Sequence, residues 1–204
     1  MIVCAHIDDE TFAMGGTINK LSKNNEVFLV TLCQGVMFPK LEKRKEILEE
    51  YSINKKVFSN YDLTLEDYSL RGIIQQLEPL FREFKPEIVF THSKDNHPDH
   101  NLASEAVQIL SRLKYDYIKK LYHFSIPGNS EWSGLEFKAD TFIEISEEDA
   151  LFKYKLAEMY NSLFNYNKDN PLYYKKIQSR DEYVGSLCNV DKAEQFQLIL
   201  SREL

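Results

Sequence analysis

The chain has 204 residues, 43% hydrophobic and 28% charged, a balance ordinary for a globular protein. One core of this size needs no disulfide staples, so residues 1–204 read as a single domain. The net charge of −7 disfavours a nucleic-acid partner, and no apolar stretch nears the roughly 18 residues of a membrane span.

Ile2-Val3-Cys4-Ala5 reads as a short buried strand ending at His6. Gly15 and Gly16 open a helix to about Ser22, with Met14, Ile18 and Leu21 at helical spacing. Val27 to Leu32 is an apolar run that suits a strand covered on both faces. Leu41 to Tyr51 is a charged helix, and Leu70 to Phe84 carries Ile73, Ile74, Leu77, Leu80, Phe81 and Phe84 along one side. Pro86 introduces a strand at 87–91, then come the loop His97 to His100 and a helix from about Asn101 to Leu113. A strand at Lys120 to Ile126, a loop from Pro127 to Asp140, a strand at Phe142 to Ile145 and a helix at Glu147 to Phe164 follow. Strands alternating with helices predict an α/β fold: a Rossmann-like three-layer α/β/α sandwich on a mostly parallel sheet.

Cys4, Cys33 and Cys188 are odd in number and lack a CxxC pair, so they read as free thiols of a reducing compartment. No basic-then-apolar leader precedes the first strand, and the expected location is cytoplasmic. Gly15-Gly16 lacks the G-x-G-x-x-G spacing of a dinucleotide fingerprint.

Two segments carry chemistry: Ala5-His6-Ile7-Asp8-Asp9-Glu10 and His97-Pro98-Asp99-His100. Both follow strands, where open parallel sheets bind their ligands. His6, Asp9 and His100 would give two nitrogens and one oxygen to a divalent metal, with positions left for water and substrate. That set suits Zn2+ foremost and is also compatible with Fe2+. Consecutive residues of an extended chain point apart, so Asp9 is assigned to the metal and Asp8 to proton transfer. His97 is placed to donate to an oxyanion, particularly if protonated with Asp99 or Asp95 as its partner. Asp99 is also a candidate to hold the second nitrogen of a ligating histidine. His92 reads as a strand-end group and His123 as a strand side chain, while Trp132 is a candidate aromatic lip for a sugar face. The tyrosine-rich end (Tyr154, Tyr160, Tyr166, Tyr173, Tyr174, Tyr183) reads as core and interface.

These motifs resemble the PIG-L/LmbE-like family of metal-dependent N-deacetylases, whose usual first motif is Ala-His-Pro-Asp-Asp-Glu. Gly15-Gly16-Thr17, Thr31 to Gly35, and Lys85 to Thr91 followed by Asp95 to His100 are similar to further family segments. Ile7 stands where the family usually has proline, and Asp95 where some members carry a tyrosine. Arg44 lies on the helix where many members place a substrate-contacting arginine, which puts Asp95 and Arg44 among the candidate substrate contacts. The resemblance implies a zinc-dependent hydrolase removing acetyl from the amine of a small N-acetylated amino sugar or its conjugate. It implies His6, Asp9 and His100 on the metal, Asp8 as base, and His97 assisting the intermediate. Amide or ester hydrolysis on a non-sugar metabolite, and a non-catalytic sugar-binding role, stay open; a homo-oligomer is compatible with the sequence.

Overall fold

A seven-stranded sheet in the order β3-β2-β1-β4-β5-β7-β6 organises the molecule, with helices on both faces. The computed structural model describes residues 1–33, 40–61, 64–112, 115–129, 131 and 137–202. The strands are β1 (Ile2–Cys4), β2 (Phe28–Cys33), β3 (Lys55–Tyr61), β4 (Ile88–His92), β5 (Lys120–Phe124), β6 (Thr141–Glu144) and β7 (Ala193–Ser201). The helices are α1 (Asp9–Ser22), α2 (Leu41–Glu49), α3 (Leu70–Phe84), α4 (Pro98–Leu110), α5 (Glu147–Phe164) and α6 (Tyr174–Leu187). β1 to β5 pair in parallel, and β7 runs antiparallel between β5 and β6. The α/β architecture expected from the alternation is the one found.

Strand alternation splits the core in two. Ile2 and Cys4 of β1 face the layer of α1, α2, α5 and α6, whereas Val3 and Ala5 face α3 and α4. Ile73, Leu77 and Phe81 bury the apolar stripe of α3, and Ser69 caps its start by accepting from the Gly72 amide at 3.1 Å. Truncating fully buried Phe81 to alanine costs about 3–5 kcal/mol.

Three elements have no counterpart in the sequence reading. β3 opens on two lysines at a sheet edge, α6 offers only a sparse apolar stripe, and β7 buries a glutamate in its alternating pattern. Two helices also begin earlier than expected. α1 starts at Asp9, with a break at Met14, and α4 starts at Pro98, whose ring suits a first helical position. Among the described residues, no helix is long and apolar enough to cross a membrane.

Candidate functional site

The chain order reverses between β1 and β4: β2 and β3 lie to one side, β5 to the other. A crevice forms at such a switch point, beyond the carboxyl ends of the two strands. His6 follows β1 by two residues, and α1 begins three residues later at Asp9. His92 closes β4, and His97 caps α4, so that helix carries Asp99 and His100 in its first turn. The two motifs, 91 residues apart from His6 to His97, therefore meet.

His6 Nδ1 lies 3.4 Å from Asp9 Oδ2, and His100 Nε2 lies 3.5 Å from Asp9 Oδ1. The ligand atoms of His6, Asp9 and His100 all fall within 4.8 Å of one another. Each imidazole turns its other nitrogen to a carboxylate: His6 Nε2 to Asp99 Oδ2 at 2.9 Å, and His100 Nδ1 to Asp95 Oδ2 at 2.7 Å. This leaves one nitrogen per ring for an ion and fixes the ring orientation, the usual outer arrangement of metal-ligating histidines. A second grouping of His6, His97 and Asp99 is as compact, but it would draw on the His6–Asp99 atoms already bonded to each other.

Charge in the crevice favours a cation. Burial opposes protonation of His6, yet the bonds to Asp9 and Asp99 prevail and hold it up to about 10. His100 is likewise held up to about 9, against burial, by Asp9 and Asp95. Asp9 is kept well below the usual carboxylate range, despite burial, by the imidazoles of His100 and His92. The carboxylates thus demand positive charge, which a divalent ion supplies while displacing those imidazole protons. The donor set fits such an ion.

Asp8 precedes Asp9 at φ 133°, a backbone state L-residues rarely adopt. The Glu10 carboxylate holds it there, accepting from the Asp8 amide at 3.0 Å and from the Thr11 hydroxyl at 2.7 Å. Thr11 Oγ1 lies 3.0 Å from Tyr51 Oη, closing a buried chain from α2's end to the strained peptide. The two aspartates separate because a helix starts between them, a different cause from the extended-chain alternation expected. Burial, then the Asp9 charge, pushes the Asp8 carboxyl up to about 7, while Arg44 at 3.8 Å pulls the other way. Asp8 keeps 14% of its side chain exposed, beside the donor set rather than within it.

His97 differs from expectation. Its Nδ1 accepts from the Asp99 amide at 3.3 Å, so the ring proton sits on Nε2. Burial, with His100 and His6 nearby, lowers its pKa, and the carboxylates expected as its partners serve other rings. A neutral imidazole presenting Nε2–H results. His97 stacks on His100 at 4.5 Å and meets His6 edge-on at 4.8 Å.

Asp95 is not a substrate contact here: it is 2% exposed, one oxygen on His100 and the other accepting from the His97 amide at 2.7 Å. Arg44 is 5% exposed and donates from Nε and Nη2 to the Ile7 carbonyl at 3.1 and 2.5 Å. It therefore braces the loop that carries Asp8. Trp132, Gln34 and Gly35 lie outside the described residues. His123 is a buried side chain of β5, as expected. His92 packs under the site, accepting from the Ala5 amide at 2.9 Å and stacking on His100 at 4.1 Å. Thr64 escaped the sequence reading: its hydroxyl and the Leu65 amide each donate to Asp99 Oδ1 at 2.7 Å. Nothing near it in sequence signals that role, since only the fold brings it to α4.

The family model for PIG-L, GlcNAc-PI de-N-acetylase, matches residues 1–110, more than half of the 204. Among solved structures, N,N'-diacetylchitobiose deacetylase from Pyrococcus horikoshii is 21% identical, with a TM-score of 0.71 over 97% of this chain and 83% of that one. The zinc-inhibited form of teicoplanin deacetylase Orf2 is 12% identical, with a TM-score of 0.75 over 97% and 96%. GalB, the 4-carboxy-2-hydroxymuconate hydratase from Pseudomonas putida KT2440, is 19% identical, with a TM-score of 0.72 over 100% and 96%. Likeness at these identities establishes the fold, and the hydratase among them shows that the fold does not by itself choose the reaction.

Proposed function

The chain belongs to the PIG-L family, that of the GlcNAc-PI de-N-acetylases, and on that footing we propose a metal-dependent N-deacetylase of a small N-acetylated amino sugar or its conjugate. The observation that carries the reading is the convergence of His6, Asp9 and His100 within 4.8 Å, with Asp8 alongside and outside the donor set. His6 Nδ1, an Asp9 oxygen and His100 Nε2 would hold the ion. Bound there, a divalent cation such as Zn2+ supplies Lewis acidity toward an amide carbonyl and its attacking water.

The remaining steps belong to side chains. Asp8 takes the proton of the attacking water and returns it to the leaving nitrogen as the C–N bond breaks, giving acetate and a free amine. Its elevated pKa suits both halves of that transfer near neutral pH. His97 Nε2–H donates to the oxyanion formed on the former carbonyl oxygen. Arg44 and Glu10 hold the Asp8 backbone from either side.

Incubating the Zn2+-loaded protein with N-acetylglucosamine, diacetylchitobiose, N-acetylated amino acids and simple acetate esters, scored for acetate and free amine, tests the reading. Release of both products from the acetylated sugars above the other classes is the expected result. Turnover confined to esters or amino-acid amides would move the substrate to a non-sugar metabolite. No turnover of any member, with metal bound, would sink the enzymatic assignment.

The carboxylates behind the ligands yield a separate prediction. Asp95→Asn weakens Zn2+ affinity about 10–100-fold, the usual cost of losing a carboxylate behind a ligating imidazole. Competition against a chromophoric chelator measures it, and an unchanged Kd would deny Asp95 that role.

A further inference from the structure

Met14, inside α1, has φ −149° and ψ 27°, so the helix is two segments: a first turn carrying Asp9, and a second from Gly15 to Ser22. A continuous helix would point both segments along one axis. At the break, the Gly16 and Thr17 amides instead find the Glu194 carboxylate, at 3.0 Å to Oε1 and 2.7 Å to Oε2. Glu194 lies on β7 and is 2% exposed. Lys153 of α5 donates to its Oε1 at 2.7 Å, and the same ammonium lies 2.9 Å from both Asp181 oxygens on α6. All three side chains are buried. One ammonium faces two carboxylates, and the amide pair opening the second segment offsets the remaining negative charge.

Close packing accompanies the network. A Cβ on Gly15 would meet Tyr51 Oη at 2.8 Å and Lys153 Cγ at 3.0 Å, and one on Gly16 would meet Ile145 Cδ1 at 2.9 Å. Gly15 therefore lets α1 close on Lys153 of α5, and Gly16 lets it close on Ile145, beside the amides that the β7 carboxylate reaches. Lys153, Asp181 and Glu194 all lie beyond residue 110, outside the segment that the family model matches.

We propose that Glu194, secured by Lys153, is a positioning residue for the metal site: by binding the two amides it stabilises the break that aims Asp9 at His6 and His100. The proposal rests on the metal-site reading above. Asp9 lies within 3.5 Å of both histidines and is the first residue of the segment that ends at the break. A glutamine at 194 keeps the volume and leaves Lys153 paired with Asp181. Its single carbonyl oxygen, however, replaces two acceptors, and its NH2 group faces a donor.

The test compares Glu194→Gln with Ile145→Ala, which loosens packing against Gly16 without touching the carboxylate. Zn2+ affinity by chelator competition, the visible absorption of the Co2+ form and the thermal midpoint are read for both. Glu194→Gln is expected to weaken Zn2+ binding at least about 10-fold and to alter the Co2+ spectrum. Ile145→Ala is expected to lower the midpoint and hold Kd within about twofold of the wild type. Native Kd and spectrum in Glu194→Gln, or an equal loss in Ile145→Ala, would overturn the proposal. Glu194→Asp, which keeps the charge but is a methylene too short for both amides, gives the same comparison if the glutamine variant fails to fold. A wild-type protein that binds no divalent metal would take this inference down with the metal-site reading. A wild type that binds Zn2+ yet hydrolyses no acetamide would sink only the deacetylase reading.

Discussion

Asp8→Asn lowers turnover about 10²–10⁴-fold while metal binding persists. Asparagine matches the carboxylate in shape but has no basic oxygen to take the proton of the attacking water. The proposed metal donors are His6, Asp9 and His100, so the substitution removes none of them. Nor does the fold suffer. The Asp8 backbone is held by its own amide on Glu10 and by its carbonyl, which accepts from the Thr11 and Phe12 amides at 3.0 and 3.1 Å. Asparagine tolerates positive φ as well as aspartate does. A carboxyl that desolvation and the Asp9 charge push up to about 7 is also no asset to stability, so the thermal midpoint should stay level or rise. Steady-state kinetics with elemental analysis of the same sample decides the matter. Full activity in a metal-replete Asp8→Asn protein would remove Asp8 from proton transfer.

The candidate site left local signals in the sequence because the residues that converge there are packed into two short segments. His6, Asp9 and His100 lie in the loops and first helical turns that follow β1 and β4, and alternation of strands and helices already predicted that such ends share a crevice. What escaped was non-local. Asp99 and Asp95 are both acidic neighbours of histidines in the second motif, and sequence spacing cannot say which ring each one reaches. The start of α4 at Pro98 decides it, turning Asp99 across to His6 and leaving Asp95, before the helix, to meet His100. Arg44 stood as a candidate substrate contact only through the arginine that many family members carry on that helix, whereas α2 buries it against the Ile7 carbonyl. Glu194 was also invisible. It shares its strand face with Phe196, and nothing near it in sequence shows that the break in α1 supplies it there with two amides.

His97→Ala reduces kcat about 10²–10³-fold, the cost of removing one oxyanion donor. Alanine also removes the cap of α4, where His97 Nδ1 accepts from the Asp99 amide, at a stability cost of about 1 kcal/mol. A fall in activity alone would not separate those two roles, because a frayed first turn would also disturb Asp99 and His100. His97→Asn does separate them. Asparagine is among the best capping residues, so its carbonyl restores the bond to the helix amide and with it the thermal midpoint. Its short side chain cannot carry an N–H to the place that Nε2 reaches. The expected outcome is a protein with native stability and Zn2+ affinity that remains about 10²-fold or more slow. Recovery of turnover along with stability in His97→Asn would make this histidine a helix cap and nothing more, and the donor facing the oxyanion would have to be sought elsewhere in the crevice.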